Sequence, residues 1–146
     1  MREPPSLESR ALKLLSRREH SRAELQKKLA AHAETQLQLD ALLDSLQERG
    51  WLSEARFAET IINMRRARFG AARIAHELRQ KGVNAELVDA HAIKLRETEL
   101  EAVRNVWQKK FGKWPRNNEE RGRQVRFLQN RGFASEVIFQ LLREKD

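Results

Sequence analysis

The side chains best suited to chemistry in this chain are cations, and they form two clusters. One cluster lies near the middle of the chain and the other lies in its last third. Lysine and arginine neutralise phosphates and carboxylates, so such clusters usually indicate a polyanionic partner, most often nucleic acid. The candidate contact residues are Arg65, Arg66, Arg68 and Arg73 in the first cluster and Lys109, Lys110, Lys113, Arg123 and Arg126 in the second.

The chain is strongly basic overall, and its positive charge is unevenly distributed. It has 29 Lys and Arg against 21 Asp and Glu, which gives a net charge of +8 and a pI near 10.4. Residues 1–60 contain ten bases and ten acids, residues 61–100 contain eight and five, and residues 101–146 contain eleven and six. The excess therefore belongs to the part of the chain that holds both clusters. A charged surface that serves only solubility is the alternative interpretation.

The other reactive residue types form no pattern that predicts catalysis. The four histidines include no His-x-x-x-His pair, and no acidic cluster has metal-ligand spacing. His91 lies on an apolar helix face and is expected to be partly buried, whereas His20 and His76 are expected at the surface. No glycine-rich phosphate-binding loop is present. We therefore predict a binding protein that is not an enzyme and uses no metal or cofactor.

Two absences bear on where the protein works. The chain has no cysteine, which fits a reducing compartment. It also has no apolar run near the roughly 20 residues that span a bilayer, and no apolar signal segment at its start. These features predict a cytoplasmic protein that does not enter a membrane.

A repeated helix ending indicates how the cations are positioned. Residues 78–86 and 128–136 share a leucine, a base three residues later, a glycine, an apolar residue and then an acid. Glycine just past a helix takes the left-handed conformation without a Cβ clash, and the base complements the negative end of the helix dipole. A Phe-Gly pair precedes each copy, and a weaker copy of the ending occupies residues 24–29. The pattern predicts tandem repeats of about 50 residues.

Apolar spacing predicts about nine helices in three groups of three. We expect an all-α protein made of three helix-turn-helix-like repeats in an elongated, curved array, with repeats at residues 1–50, 51–97 and 98–146. Leu128 is predicted to be core, with Arg123 and Arg126 on the solvent side of the same helix. Trp51 is predicted to be core because it follows a helix-ending glycine, whereas Trp114 could stack on a base.

Several ordered motifs together identify a known family. They are His20-Ser21-x-x-Glu24-Leu25-x-x-Lys28-Leu29, Gly50-Trp51-Leu52-Ser53-Glu54-x-Arg56-Phe57-Ala58, Arg65, Phe69-Gly70, Ile74-x-x-Glu77-Leu78-x-x-Lys81-Gly82-Val83 and Phe127-Leu128-x-x-Arg131-Gly132-Phe133. Their order resembles that of RecX, the bacterial regulatory proteins of the RecA recombinase. The resemblance extends over about residues 11–142. One departure is Ser53-Glu54, where the family tends to have paired acids.

The resemblance implies a fold, a function and partners. RecX proteins consist of three tandem three-helix repeats and bind in the groove of the RecA filament on single-stranded DNA. They inhibit RecA by limiting filament growth and by lowering its ATPase, strand-exchange and co-protease activities. The implied partners are thus the RecA filament and single-stranded DNA, with non-specific binding to duplex DNA, and we expect a monomer.

Two other functions are compatible with the residues alone. A sequence-specific helix-turn-helix regulator would place its base-reading side chains on one helix and dimerise to match two half-sites. A scaffold for an acidic protein would use the same cations without any DNA. Preference for one duplex sequence would favour the first, and indifference to all DNA would favour the second.

Overall fold

Nine α-helices make up most of residues 3–145, the part of the chain that the computed structural model describes. They are α1 (Leu7–Arg17), α2 (Arg22–Leu29), α3 (Gln36–Glu48), α4 (Glu54–Arg65), α5 (Ala71–Gln80), α6 (Ala85–Glu97), α7 (Glu99–Lys110), α8 (Asn118–Asn130) and α9 (Ser135–Arg143). A short 3-10 turn, Ala30–His32, follows α2. No strand occurs within these residues, so the predicted all-α fold is confirmed.

The helices form three consecutive groups of three, each with its own hydrophobic core. We call them module 1 (α1–α3), module 2 (α4–α6) and module 3 (α7–α9). The largest fully buried side chains include Leu25 and Leu43 in module 1, Phe57 and Leu78 in module 2, and Leu128 and Ile138 in module 3. The predicted tandem three-helix architecture is thus confirmed, because the second helix of each module packs against its neighbours. The repeat boundaries at residues 50/51 and 97/98 stay a prediction.

Local sequence explains where several helices begin. Ser21 accepts a hydrogen bond from the Glu24 N–H while the Glu24 side chain accepts one from the Ser21 N–H, which is the predicted capping box of α2. Ser6, Thr35, Ser53, Asn84 and Asn117 cap five further helices with a side-chain oxygen. Each such cap typically contributes about 1 kcal/mol to helix stability.

The prediction that Trp51 belongs to the core is wrong. Its side chain is 55% exposed, and Leu52 takes the buried position at 2%. Two residues separate Gly50 from the N-cap Ser53, whereas a single residue separates each of the two later glycines from the next N-cap. The extra residue moves the inward-facing position from residue 51 to residue 52, because α4 must still begin at the same end of α3.

Candidate nucleic-acid interface

Modules 2 and 3 meet through two glycines that allow backbone to touch backbone. The Gly70 N–H at the start of α5 donates to the carbonyl of Arg131 over 2.8 Å. A Cβ on Gly70 would lie 2.4 Å from the Gly132 carbonyl oxygen, and a Cβ on Gly132 would lie 2.4 Å from the Cβ of Arg73. Gly132 also has φ of +88°, which disfavours other residues. The start of α5 is therefore held directly against the corner between α8 and α9.

A buried carboxylate joins the start of α5 to the start of α9. Glu99, the first residue of α7, is 2% exposed. Its Oε1 accepts from the Ala71 N–H at 2.6 Å, and its Oε2 accepts from the Ala134 N–H at 3.3 Å. Ala71 begins α5 and Ala134 is the N-cap of α9, so the carboxylate satisfies N–H groups at the positive ends of both helices.

The joint between modules 1 and 2 has the same construction. Glu54, the first residue of α4, accepts from the Arg22 N–H at 3.0 Å and from the Asn84 N–H at 3.1 Å. The hydroxyl of Ser21 donates to the Lys81 carbonyl at 2.7 Å, beside the corner glycine between α5 and α6. Glu54 and Glu99 thus hold equivalent places, one at the first helix of each following module. In both cases an acid is the first residue of the first helix of a module. This shared position is the sequence signal that could have revealed both joints.

The joint between modules 2 and 3 brings the two predicted basic clusters together. Arg131, which the sequence did not single out as a contact residue, lies with its guanidinium carbon 5.2 Å from the Phe69 ring centroid and 5.0 Å from the Phe127 ring centroid. Arg73 lies 4.3 Å from the centroid of Phe69, and the Lys110 Nζ lies 5.2 Å from that of Phe127. Cation–π attraction thus places the cations around two rings. Phe69 lies within the first cluster in the sequence, and Phe127 directly follows the second.

These cations border a shallow cleft, and we call them the basic joint surface. The cleft has a volume of about 230 Å³, and no acidic residue lines it. Arg68 and Lys110 are exposed and line it together with Lys109 and Arg131, while Arg73 lies beside it over Phe69. The concentration of positive charge suits a phosphate backbone or an acidic protein surface. The basic joint surface comprises Arg68, Arg73, Lys109, Lys110 and Arg131.

Two predicted contact residues, Arg65 and Arg66, make intramolecular interactions. Arg66 donates to the Leu95 carbonyl at 2.5 Å and to the Thr98 hydroxyl at 2.8 Å, and burial lowers its pKa. Arg65 forms a two-point ion pair with Glu77, with contacts of 2.9 and 3.2 Å. The equivalent pair in module 1 joins Arg18 to Glu24, which marks it as a feature of the repeat. Their role as contacts with a partner stays a prediction, and other cations carry the interface described above.

The remaining predicted cations form a separate surface on module 3. Lys113, Arg116 and Arg123 line a cleft of about 290 Å³ between the end of α7 and α8. Acids partly neutralise it, since Arg116 pairs with Glu120 at 3.0 Å and Arg123 lies 3.5 Å from Glu119. Arg123 and Arg126 are exposed while Leu128 on the same helix is fully buried, as the helical phase predicts.

Trp114 is positioned by the core of module 3. Its ring stacks on Trp107 with centroids 4.4 Å apart and 29° between planes. The Trp107 indole N–H donates to the Gln124 side-chain oxygen at 2.8 Å, and the Gln124 amide donates to the Lys113 carbonyl at 3.0 Å. One face of Trp114 is therefore used inside the protein, and stacking of a base on this residue stays a prediction.

The expectation that His20 lies at the surface is wrong, since it is 1% exposed. Its Nε2 lies 3.1 Å from the Lys28 Nζ, and its Nδ1 lies 3.0 Å from the Arg18 carbonyl. Because an ammonium can only donate, Nε2 accepts and Nδ1 carries the proton. Burial lowers the pKa of His20, and the positive charges of Arg18 and Lys28 lower it further. The surroundings of His20 in the folded protein therefore favour the neutral imidazole.

The neutral His20 predicts a pH-dependent stability. Its folded-state pKa is lowered, so the unfolded chain binds a proton more readily and the free energy of unfolding should decline as the pH falls below about 6.5. Denaturant unfolding between about pH 7.5 and pH 5 measures this decline. The His20→Gln variant should show a flatter profile, and His32→Gln, at an exposed position, should keep the original one. Identical profiles for all three proteins would contradict the assignment.

Metal-binding groups and membrane-spanning helices are two kinds of feature that the described residues lack. Between residues 3 and 145, no group of three or more His, Asp or Glu side chains is arranged to hold a metal ion. No helix in that range is long and apolar enough to cross a bilayer.

Comparison with known proteins identifies the family. Models for the second and third three-helix domains of RecX match residues 53–91 and 97–142. The regulatory protein RecX of Leptothrix cholodnii is 50% identical over 141 residues, which cover 97% of this chain and 90% of that protein. The chain belongs to the RecX family. The regulatory protein RecX of Ralstonia nicotianae is 42% identical over 99% of this chain and 91% of its own length.

Solved RecX structures share the fold. The crystal structure of RecX from Lactobacillus salivarius superposes with a TM-score of 0.77 at 17% sequence identity, and covers 94% of this chain and 93% of that one. A second RecX crystal structure gives a TM-score of 0.78 at 20% identity. These RecX structures therefore share the fold of this chain although only 17–20% of the residues are identical.

Proposed function

We propose that this RecX family protein binds the filament that RecA forms on single-stranded DNA and inhibits its recombinase, ATPase and co-protease activities. Binding in the filament groove or at a filament end would achieve this without any reaction catalysed by the protein itself. The protein would act in the cytoplasm as a monomer. Its partners would be the RecA filament, single-stranded DNA and, without sequence preference, duplex DNA. Family membership supports the regulatory role.

The observation that carries the proposal is the gathering of cations from two modules at one rigid joint. Arg68 and Arg73 come from module 2, whereas Lys109, Lys110 and Arg131 come from module 3. Bonds between backbone groups and the buried Glu99 fix the two modules in place, so little ordering is needed when a partner binds. Contacts to phosphates would make the association weaken steeply with salt.

The test is inhibition of the DNA-dependent ATPase of RecA by the Arg68→Glu, Lys110→Glu double variant. Both side chains are exposed and neither belongs to an ion pair within residues 3–145, so the free energy of unfolding should change by only about 0.5 kcal/mol. Half-inhibition should require about tenfold more protein, which corresponds to about 1.4 kcal/mol of binding.

Two comparisons sharpen this test. The Arg79→Glu, Lys94→Glu variant changes the net charge equally at exposed positions outside the joint, and should inhibit like the parent. The Arg123→Glu, Arg126→Glu variant tests whether the separate surface of module 3 contributes to inhibition. Equal inhibition by the joint variant and the charge control would rule out the basic joint surface. Failure of the parent protein to inhibit an intact RecA filament would contradict the proposed function itself.

A further inference from the structure

Module 1 contains a second basic cleft, between α1 and the end of α2. Arg10, Lys13 and Arg17 from α1 face Lys28 of α2 and His32 of the following turn across a space of about 390 Å³. No acidic residue lines the cleft. None of its Lys or Arg side chains forms an ion pair with any residue from 3 to 145.

The cleft was hidden in the sequence because module 1 has no net charge. The structure separates the charges, since three arginines elsewhere in module 1, and Arg56 near the start of module 2, each pair with an acid of module 1. These pairs are Arg18–Glu24, Arg22–Asp44, Arg49–Glu8 and Arg56–Glu19. The cations that remain are concentrated on α1 and α2. Like charges held together without an internal counter-ion favour an external anion.

Buried residues hold part of the cleft in a defined shape. The Lys28 ammonium donates to Nε2 of the buried His20, which in turn donates to the Arg18 carbonyl. Leu14 and Leu29 line the cleft between the cations, and Leu29 is 1% exposed. Lys28 is therefore anchored through a fixed imidazole, whereas an ordinary surface lysine is free to move.

We propose that this cleft is a second nucleic-acid site, which binds the phosphate backbone of single-stranded and duplex DNA alike. Positions 10, 13 and 17 lie on one face of α1 and extend over about 10 Å at 1.5 Å per residue. A nucleic-acid strand carries one phosphate about every 3.4 Å along a B-form axis, so the three cations can meet more than one phosphate. No Phe, Tyr or Trp side chain lines the cleft, so stacking of bases on such a ring would not select single strands.

The cleft is independent of the basic joint surface. The two sites share no residue and lie on different modules. The cleft also lies toward the C-terminal end of α2, whereas Ser21 and Arg22 at its N-terminal end form the joint with module 2. Two separate sites on one chain allow bivalent attachment. Once one site is bound, the second binds more readily because the DNA is present at a high effective concentration. The inference rests on the proposed function only in taking nucleic acid as the ligand.

The experiment is a DNA-binding titration without RecA. Fluorescence anisotropy would follow a labelled single-stranded oligonucleotide, and the duplex of the same sequence, at several salt concentrations. The Lys13→Glu, Arg17→Glu variant should lose about tenfold in affinity for both forms of DNA, and its salt slope should fall by about 1 to 2. The variant Arg68→Glu, Lys110→Glu should also lose affinity for DNA. Because the two sites are independent, the quadruple variant should show a fold-loss equal to the product of the losses of the two double variants.

Controls separate this inference from its alternatives. Arg79→Glu, Lys94→Glu has the same net charge and should retain most of the affinity, and circular dichroism would verify that every variant is folded. If the cleft variant does not fold, Lys13→Gln with Arg17→Gln should give a smaller loss in the same direction. Affinity equal to that of the charge control would overturn the inference, as would a parent protein that inhibits RecA but binds no free DNA. DNA binding that depends on the cleft without inhibition of RecA would contradict only the proposed function.

Discussion

Replacing Gly70 with alanine is expected to separate module 2 from module 3 and to abolish inhibition of RecA. The new Cβ would lie 2.4 Å from the Gly132 carbonyl oxygen and 2.7 Å from the Phe133 backbone nitrogen. These atoms belong to a backbone corner, so relief requires the modules to move apart and the Gly70–Arg131 hydrogen bond to break. Overpacking and the lost bond together should cost about 2–4 kcal/mol. Denaturant unfolding measures the cost, and the RecA ATPase assay measures the loss of function.

Gly50→Ala is the matched control for this substitution. Gly50 has φ of +80°, so alanine there is strained, but a Cβ would meet no atom within 4 Å. We expect a cost of about 1–2 kcal/mol from the backbone alone, with inhibition retained. If Gly70→Ala were as stable as Gly50→Ala and inhibited RecA normally, close contact at the joint would not be needed.

Truncation of Glu99 to alanine should give the largest loss of stability, about 3–5 kcal/mol. It would leave the N–H groups of Ala71 and Ala134 without an acceptor at the buried joint. It would also remove the anion nearest to Arg66, whose Nη1 lies 3.9 Å from the carboxylate and has no hydrogen-bond partner within the described residues. The free energy of unfolding from denaturant titrations is the direct measurement.

Two variants of the same helix test the reason for that loss. Glu101→Ala removes an exposed carboxylate two residues further along α7 and should cost no more than about 0.5 kcal/mol. Glu99→Gln keeps an acceptor oxygen but lacks the charge. Its loss of unfolding free energy should therefore lie between those of Glu101→Ala and Glu99→Ala. A Glu99→Ala variant as stable as Glu101→Ala would show that the bridging carboxylate contributes little to the joint.

The joint therefore couples stability to the proposed interface. The same contacts that hold α5 against the corner between α8 and α9 also bring Arg68 and Arg73 to Lys110 and Arg131. Substitutions at Gly70 or Glu99 should consequently affect folding and inhibition together. Charge reversal at Arg68 and Lys110 should affect inhibition alone, so the two classes of variant can be told apart.

The helices, their grouping into threes and the family could all be predicted from the amino-acid sequence. Helix caps such as Ser21 with Glu24, and helix-ending glycines such as Gly82 and Gly132, act within a few residues and can be read locally. Apolar periodicity likewise placed Leu128 in the core, because a helix fixes which residues share a face. The one misplaced aromatic, Trp51, lies where a single extra residue changes the phase after Gly50.

Which charges are available to a partner became visible only in the folded protein. Net charge summed along the chain could not show that Arg65 and Arg66 bond internally, or that Arg131 completes a surface formed by two modules. It also concealed the cleft of module 1, where acids and bases cancel in the sequence although the acids pair with arginines outside the cleft. Ion pairs and module joints connect residues that are tens of positions apart. Their geometry depends on how helices pack, which local sequence patterns do not specify.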